Sequence, residues 1–289
     1  MTAAWFKALR ALVLEATGVT ITADNQYLAE SRLMPLLKGF NLPNLNALVE
    51  AAAAAGRTPE ISTAVVDAMM TGETFFFRDT AQFKQIRERV LPALVIRNQD
   101  KQSLRIWSAA CSSGQEPYSL AMILDEMAPH LRGWRVDLVA SDVCQRALDQ
   151  AIAGNYNQFE VQRGLPVANL LNYFEHHNGI WRINAAMRAA VDYRIGNVIN
   201  AGRSDEPYDL ILCRNVLMYF DTQTRRQALD NINRRLSNGG FLIIGASEAN
   251  IAQGRGYHNV PGFPAILQKR SAQADSSDSA ADGSTREAI

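Results

Sequence analysis

The sequence predicts an α/β protein: a doubly wound, Rossmann-like parallel sheet, preceded by an all-helical region and interrupted by a small β insertion. Three observations predict it. Residues 1–97 carry only helical periodicity, beginning with Trp5, Leu9, Leu12, Val13 and Ala16 on one helical face. From Leu104 short apolar runs alternate with helical stretches, the pattern of strands joined by crossover helices. Finally, LRIWSAACSSGQEPYSLAMIL at 104–124 reads as strand, tight turn and helix, the unit beside which ligands bind in such sheets.

In chain order, further helices are predicted near 25–39, 45–55, 59–70 and 80–97, punctuated by Gly18, Gly39 and Gly56. Predicted strands follow at 104–109, 135–141, 191–195, 209–213, 241–245 and 265–269, with helices at 117–127, 145–154 and 222–236. Residues 164–187 break this rhythm and are expected to form a small β-subdomain. Residues 271–289 are rich in Ser, Ala, Asp and Gly and are expected to be a disordered tail. The expected division is a helical domain at 1–97, a sheet domain at 98–270 and the tail.

Composition removes several function classes. The 289 residues carry 29 basic and 29 acidic side chains, without the basic excess of a nucleic-acid binder. Cys111, Cys144 and Cys213 form no CxxC pair, which fits a reducing compartment. The four histidines show no metal-ligand spacing. No run approaches the roughly 20 apolar residues of a membrane span. The start, MTAAWFKALRAL, lacks the apolar core of a signal peptide and reads as an amphipathic helix. A cytoplasmic location without membrane insertion is expected.

Candidate site residues cluster at strand ends. The turn AACSSG has Gly114 as its only glycine, so it is not the glycine fingerprint that accommodates a pyrophosphate. Glu116 has capping-box spacing from Ser113. However, Pro117 prefers the first helical position, which would make Glu116 the N-cap and aim its carboxylate at the turn. Two roles are open to Asp142, at the end of RVDLVASD: accepting both hydroxyls of a ribose, or capping the helix at 145–154. Asn197 in YRIGNVI is either an ordinary turn asparagine or a partner for an adenine edge. Arg214 and Asn215 stand where the strand of DLILCRNVLMYF meets its loop, with Tyr219 four residues on; a surface role for Arg214 is also open. In MMTGETFFFRD, at 69–79, the phenylalanines read as a core plug. Thr74 and Arg78 would share a face if this stretch were helical.

Taken in order, GETFFFRD, WSAACSSGQEPYSLAM, ASDVCQRALDQAIAGNY, GNV and LILCRNVLMYFD resemble the CheR-type chemotaxis receptor methyltransferases, over about residues 5–270. The resemblance implies a helical N-terminal domain and an S-adenosylmethionine-dependent methyltransferase domain carrying an inserted β-subdomain. It implies that the family's N-x-T-x-F-F-R segment, here Gly72 to Arg78, touches the methionine end of the cofactor. Gly72 replaces the usual Asn, so that side-chain contact is lost, while Thr74 and Arg78 remain. Glu116 and Asp142 match the family's acidic cofactor contacts. Asn197 and Val198 match its adenine side, and Arg214 and Asn215 its methionine side. Tyr219 matches a tyrosine beside the reacting methyl group, and with Arg78 it is the candidate for catalysis.

The implied reaction moves a methyl group to glutamate carboxylates on the methylation helices of chemoreceptors, leaving methyl esters and S-adenosylhomocysteine. A carboxylate of reference pKa about 4.3 is already ionised at neutral pH, so no general base is needed. No Ser-His-Asp or Cys-His set is visible to supply one. The competing classes are a dehydrogenase, which lacks its glycine fingerprint here, a cofactor-sensing module, and a same-family methyltransferase serving another signalling pathway. A monomer is expected. Members that grip a receptor's C-terminal pentapeptide carry a glycine-containing insertion in a β-subdomain loop. In YFEHHNGIWRI, at 173–183, only His176 to Gly179 separate two strand-like stretches. Tether-independent action is therefore expected, with Arg32 and Lys38 on one predicted helix facing the receptor.

Overall fold

The computed structural model describes residues 3–54, 59–200, 206–251 and 256–270. Four helices open the chain: α1 (Ala4–Thr17), α2 (Gln26–Gly39), α3 (Leu45–Ala53) and α4 (Pro59–Met69). Their apolar stripes meet in one core around Phe6, Leu9, Leu33, Leu48 and Val65. The chain leaves α1 through Gly18 at φ +80°, whose N–H closes the helix on the Leu14 carbonyl. Arg32 of α2 donates to the Met69 carbonyl at the end of α4, whereas Lys38 is exposed.

The predicted helix at 80–97 is built in three pieces: α5 (Thr80–Gln85), one π-helical turn (Ile86–Val90) and α6 (Leu91–Arg97). Its face of Phe83, Ile86, Leu91 and Leu94 packs into the core under the sheet rather than with α1–α4.

The sheet region runs β1 (Ser103–Ala109), α7 (Gln115–Glu126), β2 (Arg135–Asp142), α8 (Gln145–Ala153), β3 (Asn155–Asn157), α9 (Gln158–Gln162) and α10 (Val167–Tyr173). It continues with β4 (Phe174–His177), β5 (Ile180–Ile183), α11 (Ala185–Ala189), β6 (Asp192–Ile195), β7 (Tyr208–Cys213), α12 (Thr222–Arg235), β8 (Leu236–Ile244), β9 (Tyr257–Val260) and β10 (Phe263–Lys269). Seven strands form one sheet in the order β6-β2-β1-β7-β8-β10-β9. The protein is thus α/β, with a doubly wound sheet behind N-terminal helices.

Two features depart from the expected all-parallel sheet. The strands β10 and β9 run antiparallel, and β9 had no sequence signal because YHNV lacks an apolar run. Strands joined by a two-residue connection can pair only antiparallel, since a parallel pair needs a crossover of a dozen or more residues. Strands β9 and β10 are joined by Pro261 and Gly262 alone, a hairpin connection.

The small sheet, ordered β3-β5-β4, already begins at Asn155, ahead of the stretch marked by broken rhythm. Strands β4 and β5 are joined by Asn178 and Gly179, with φ +49° and +80°, the pair of left-handed residues that a type I′ turn requires. His176 and His177 belong to the strand, so the connection has two residues rather than four. The stretch 271–289, expected to be a disordered tail, lies outside the described residues. Among the described residues no helix is long and apolar enough to cross a membrane.

Candidate active site

Strand order reverses between β1 and β7, and the carboxyl ends of strands at such a switch point leave a crevice. A cavity of about 300 Å³ lies there, within the size range of small-molecule sites. Gly72, Thr74, Arg78, Glu116, Asp142, Asn197, Val198, Arg214, Asn215 and Tyr219 all line it.

The turn after β1 is tightly coiled, with Ala110, Ser112 and Gly114 at φ +59°, +50° and +93°. A Cβ on Gly114 would lie 2.8 Å from the Ala151 Cβ and 2.9 Å from the Tyr193 hydroxyl, so glycine is required there for space as well as conformation. Gly114, not Glu116, is the N-cap of α7. Pro117 then falls at the third helical position, still within the first turn, where its missing N–H has no intrahelical partner to lose. Glu116 is the second helical residue. Its Oε1 accepts the Ser108 hydroxyl at 2.7 Å and its Oε2 accepts Arg214 Nη1 at 2.8 Å.

Asp142 is not a cap for α8. Its Oδ2 accepts the Ser112 N–H at 2.7 Å and its Oδ1 the Cys144 N–H at 2.9 Å, so it ties the ends of β1 and β2 together at the cavity. Burial pushes its carboxyl above the ordinary aspartate value, and the Cys144 and Ser112 N–H groups partly oppose that rise. The cap of α8 comes from outside its own segment. Asp67 of α4 accepts the N–H groups of Gln145 and Arg146 at 3.1 and 3.0 Å. Sequence reasoning missed Asp67, because a cap 78 residues upstream leaves no local signal.

Arg214 has no surface role: it is 6% exposed and its guanidinium is shared among several acceptors. Nε donates to Gln82 Oε1 at 2.6 Å and Nη1 to Glu116. Nη2 donates to the Arg78 carbonyl at 2.6 Å and to Asp79 Oδ2 at 2.8 Å. Arg214 therefore fastens the backbone of residues 78–79, and with it the base of Arg78, to the end of β7. Gln82 is held in turn by donating to the Ile244 carbonyl at 2.8 Å.

Residues 70–79 are not helical, so Thr74 and Arg78 do not share a helical face. The reason is packing. Phe76 is buried edge-on against Tyr156 and Phe174, and Phe77, at φ +49°, donates its N–H to the Ser119 hydroxyl. Phe76 and Phe77 form the plug, while Phe75 stays half-buried beside the guanidiniums of Arg78 and Arg163, at 5.6 and 4.4 Å from its ring centre. Arg78 also donates to the Glu73 carbonyl at 2.6 Å. Arg163 binds the Glu73 carboxylate at 2.7 Å and lowers its pKa. Gly72 offers only its carbonyl, which accepts the Ser112 hydroxyl at 3.2 Å.

The Asn197 amide is committed to its turn and to α1. Its Oδ1 accepts the Ile199 N–H at 2.9 Å and its Nδ2 donates to the Ala16 carbonyl at 3.1 Å. Val198 is buried, and its carbonyl accepts Asn231 Nδ2. Asn215 turns the chain off β7 at φ +57°, and a short 3-10 turn, Leu217–Tyr219, brings Tyr219 to the mouth. Val19 and Phe220 form an isolated antiparallel bridge, and the Thr20 N–H donates to the Tyr219 carbonyl at 2.9 Å. The loop after α1 thus closes one wall of the cavity. Glu248 was also missed; it lies behind this wall and accepts the N–H groups of Asn215 and Met218.

Fold and site together define a class: a Rossmann-like enzyme domain that receives an adenosine-bearing ligand at its switch point without a glycine-rich phosphate cradle. The profile described as CheR methyltransferase, SAM binding domain, matches residues 72–261. The chain is 39% identical over 248 residues to a Pseudomonas aeruginosa protein named chemotaxis protein methyltransferase 1, covering 84% of this chain and 89% of that one. It is 37% identical over 266 residues to chemotaxis protein methyltransferase Cher2 of Pseudomonas putida, covering 91% and 96%. A Vibrio parahaemolyticus chemotaxis protein methyltransferase is 34% identical over 255 residues, covering 87% and 91%. The chain belongs to the CheR methyltransferase family and is an S-adenosylmethionine-dependent methyltransferase.

The cavity suits that cofactor. Asp142 spends one lone pair per oxygen on a backbone N–H, which leaves acceptor capacity for ribose hydroxyls. Gly72 presents no side chain at the rim.

Proposed function

We propose that this chain methylates glutamate carboxylates on the cytoplasmic methylation helices of chemoreceptors, forming methyl esters in sensory adaptation. The observation that carries this reading is a cofactor cavity with an exposed tyrosine at its mouth and neither histidine nor lysine among its lining residues. The relatives, all named as chemotaxis protein methyltransferases, supply the pathway.

In this reading Asp142 accepts the ribose hydroxyls and Glu116 faces the ammonium of the methionine part. Asn197 and Val198 flank the adenine. Gly72, Thr74, Arg78, Arg214 and Asn215 surround the methionine end, with Arg214 acting chiefly by holding Arg78 and Glu116. The cofactor supplies a methyl group carried on a sulfonium. The residues of the chain orient and desolvate the attacking carboxylate, which arrives ionised. The Tyr219 hydroxyl donates a hydrogen bond that aligns it, and Arg78 attracts its charge. No proton needs to leave the nucleophile.

The two-residue hairpin between β4 and β5 leaves no insertion for gripping a receptor's C-terminal pentapeptide, so the enzyme acts tether-independently as a monomer. The receptor helix is met through α2. Arg32 is partly engaged with Met69, which leaves exposed Lys38 as the freer cation; such pairs are individually weak and salt-sensitive.

The test is incubation with labelled S-adenosylmethionine and membranes carrying the organism's own receptors. Base-labile label on a receptor band is expected, and label only on other proteins would overturn the substrate assignment. Titration with free pentapeptide should give no binding. Micromolar binding, or methylation lost on deleting a native tether, would overturn the tether-independent reading.

A further inference from the structure

We propose that Glu248 is a positioning residue for methyl transfer, holding the loop 215–218 that presents Tyr219 at the cavity mouth. The inference rests on the role given to Tyr219 above. Glu248 ends a 3-10 turn, Ala246–Glu248, just beyond β8, and does not line the cavity. Its side chain is fully buried. Oε2 accepts the Asn215 N–H at 2.8 Å and the Gly245 N–H at 2.9 Å, and Oε1 accepts the Met218 N–H at 3.0 Å. Asn215 and Met218 are the two ends of one loop, and the next residue is Tyr219.

Tyr219 is 42% exposed, so packing alone does not fix its ring. Its place follows from the backbone that carries it. That backbone is fastened on one side by Glu248 and on the other by the Thr20 N–H, which donates to the Tyr219 carbonyl at 2.9 Å. Two segments, 215–218 and 245–248, meet around the carboxylate with no room to spare. A Cβ on Gly245 would lie 2.6 Å from Glu248 Oε2 and 2.9 Å from Asn215 Nδ2. The arrangement also requires a carboxylate. Donors converge on both oxygens, so an amide would turn its own NH2 toward an N–H. Burying a charge is costly unless it is well hydrogen-bonded, and charge-assisted bonds are the stiffer ones. The product of that cost is a loop held at both ends directly before the tyrosine.

The test uses the full chain carrying Glu248→Gln. Melting by circular dichroism establishes that it folds, and Glu248→Asp takes its place if it does not. Hydrogen exchange in the segment 214–220 should accelerate by about tenfold or more relative to the sheet strands. Turnover should fall by about tenfold or more, as expected when a catalytic group is displaced by a fraction of an ångström to an ångström. Affinity for S-adenosylhomocysteine should stay within about threefold, because Asn215 is the one proposed cofactor contact on this loop, while Glu116, Asp142 and the Gly72–Arg78 segment are held elsewhere. In a Tyr219→Phe background, adding Glu248→Gln should cost little further turnover, since both changes act through one side chain. Unchanged turnover in Glu248→Gln, or equal fractional losses in both backgrounds, would overturn the proposal while leaving the role of Tyr219 intact. Full turnover in Tyr219→Phe alone would instead remove the role of Tyr219, and with it the route by which Glu248 acts.

Discussion

The two ends of the main sheet both bury carboxylates, but neutralise them differently. At the amino end of β7, Asp209 is fully buried and binds the Arg97 guanidinium, Lys101 Nζ at 3.0 Å and the Arg105 N–H at 2.9 Å. At the carboxyl ends, Asp142 and Glu248 are held by backbone N–H groups, and Glu116 shares Arg214 with Asp79. Cations settle the charge of Asp209 within the protein, so that end is a scaffold. Backbone N–H groups hold Asp142 in place at the cavity and leave it attractive to an incoming hydroxyl, while Glu248, held the same way, faces only its loop and Glu116 is shared with the Arg214 cation. The same residue type is structural or functional according to what compensates it and whether it faces the cavity.

The largest effect that can break this comparison is expected from Asp209→Ala. Removing the acid leaves Arg97 and Lys101 without their partner. Both cations are partly exposed and can be resolvated, so the loss should fall at the low end of the range for broken buried pairs, about 3 kcal/mol. Denaturant unfolding checks the stability loss, and calorimetry should show cofactor affinity unchanged in the folded fraction. A variant that keeps its stability but loses the cofactor would reverse the roles of the two ends.

Asp142→Ala should do the opposite. Losing charge-assisted bonds to the ligand should weaken S-adenosylmethionine binding by about 1.5–3 kcal/mol. Unchanged affinity by calorimetry would remove Asp142 from the site.

A pH titration sharpens the point. The ionised form of Asp142 is the better acceptor, and burial raises its pKa above the ordinary aspartate value. As pH falls through that raised value the carboxylate is protonated and affinity should drop, earlier than for an ordinary aspartate. Stability moves the opposite way: the buried charge costs stability as pH rises from the unfolded pKa through the raised folded one, and acidification relieves that cost. Asp142→Asn should abolish this step in the affinity profile; a profile identical to that of the unmodified chain would assign the titration to another group.

The smallest effect is expected at Asp67, which is also held by backbone N–H groups but does not line the cavity. Asp67→Ala removes the cap of α8 and should cost about 1 kcal/mol of stability. If it weakened the cofactor as much as Asp142→Ala does, compensation by N–H groups alone would mark a site, wherever the side chain points.

Apolar periodicity was sufficient to read α1–α4, the strands β1, β2, β6, β7, β8 and β10, and the helices α7, α8 and α12, because a face that must be buried writes its period into the chain, whereas the short helices α9, α10 and α11 gave no such signal. Strand ends and turn residues were equally readable: every residue assigned from Gly72 to Tyr219 lines one cavity, since a doubly wound sheet brings successive carboxyl ends together. Partners distant in sequence were not readable. Gly114 rather than Glu116 caps α7 because the turn coils against Ala151 and Tyr193. Asp67 rather than Asp142 caps α8 because α4 lies over its start. Arg214 is buried because Gln82, Asp79 and Glu116 meet it from two other segments. The antiparallel β9–β10 edge follows from a connection too short for a crossover. Local pattern reports which faces must be buried and where a strand ends. Which donor meets which acceptor depends on segments far apart in the chain, 181 residues in the case of Asn197 and Ala16, and only the packed chain decides that.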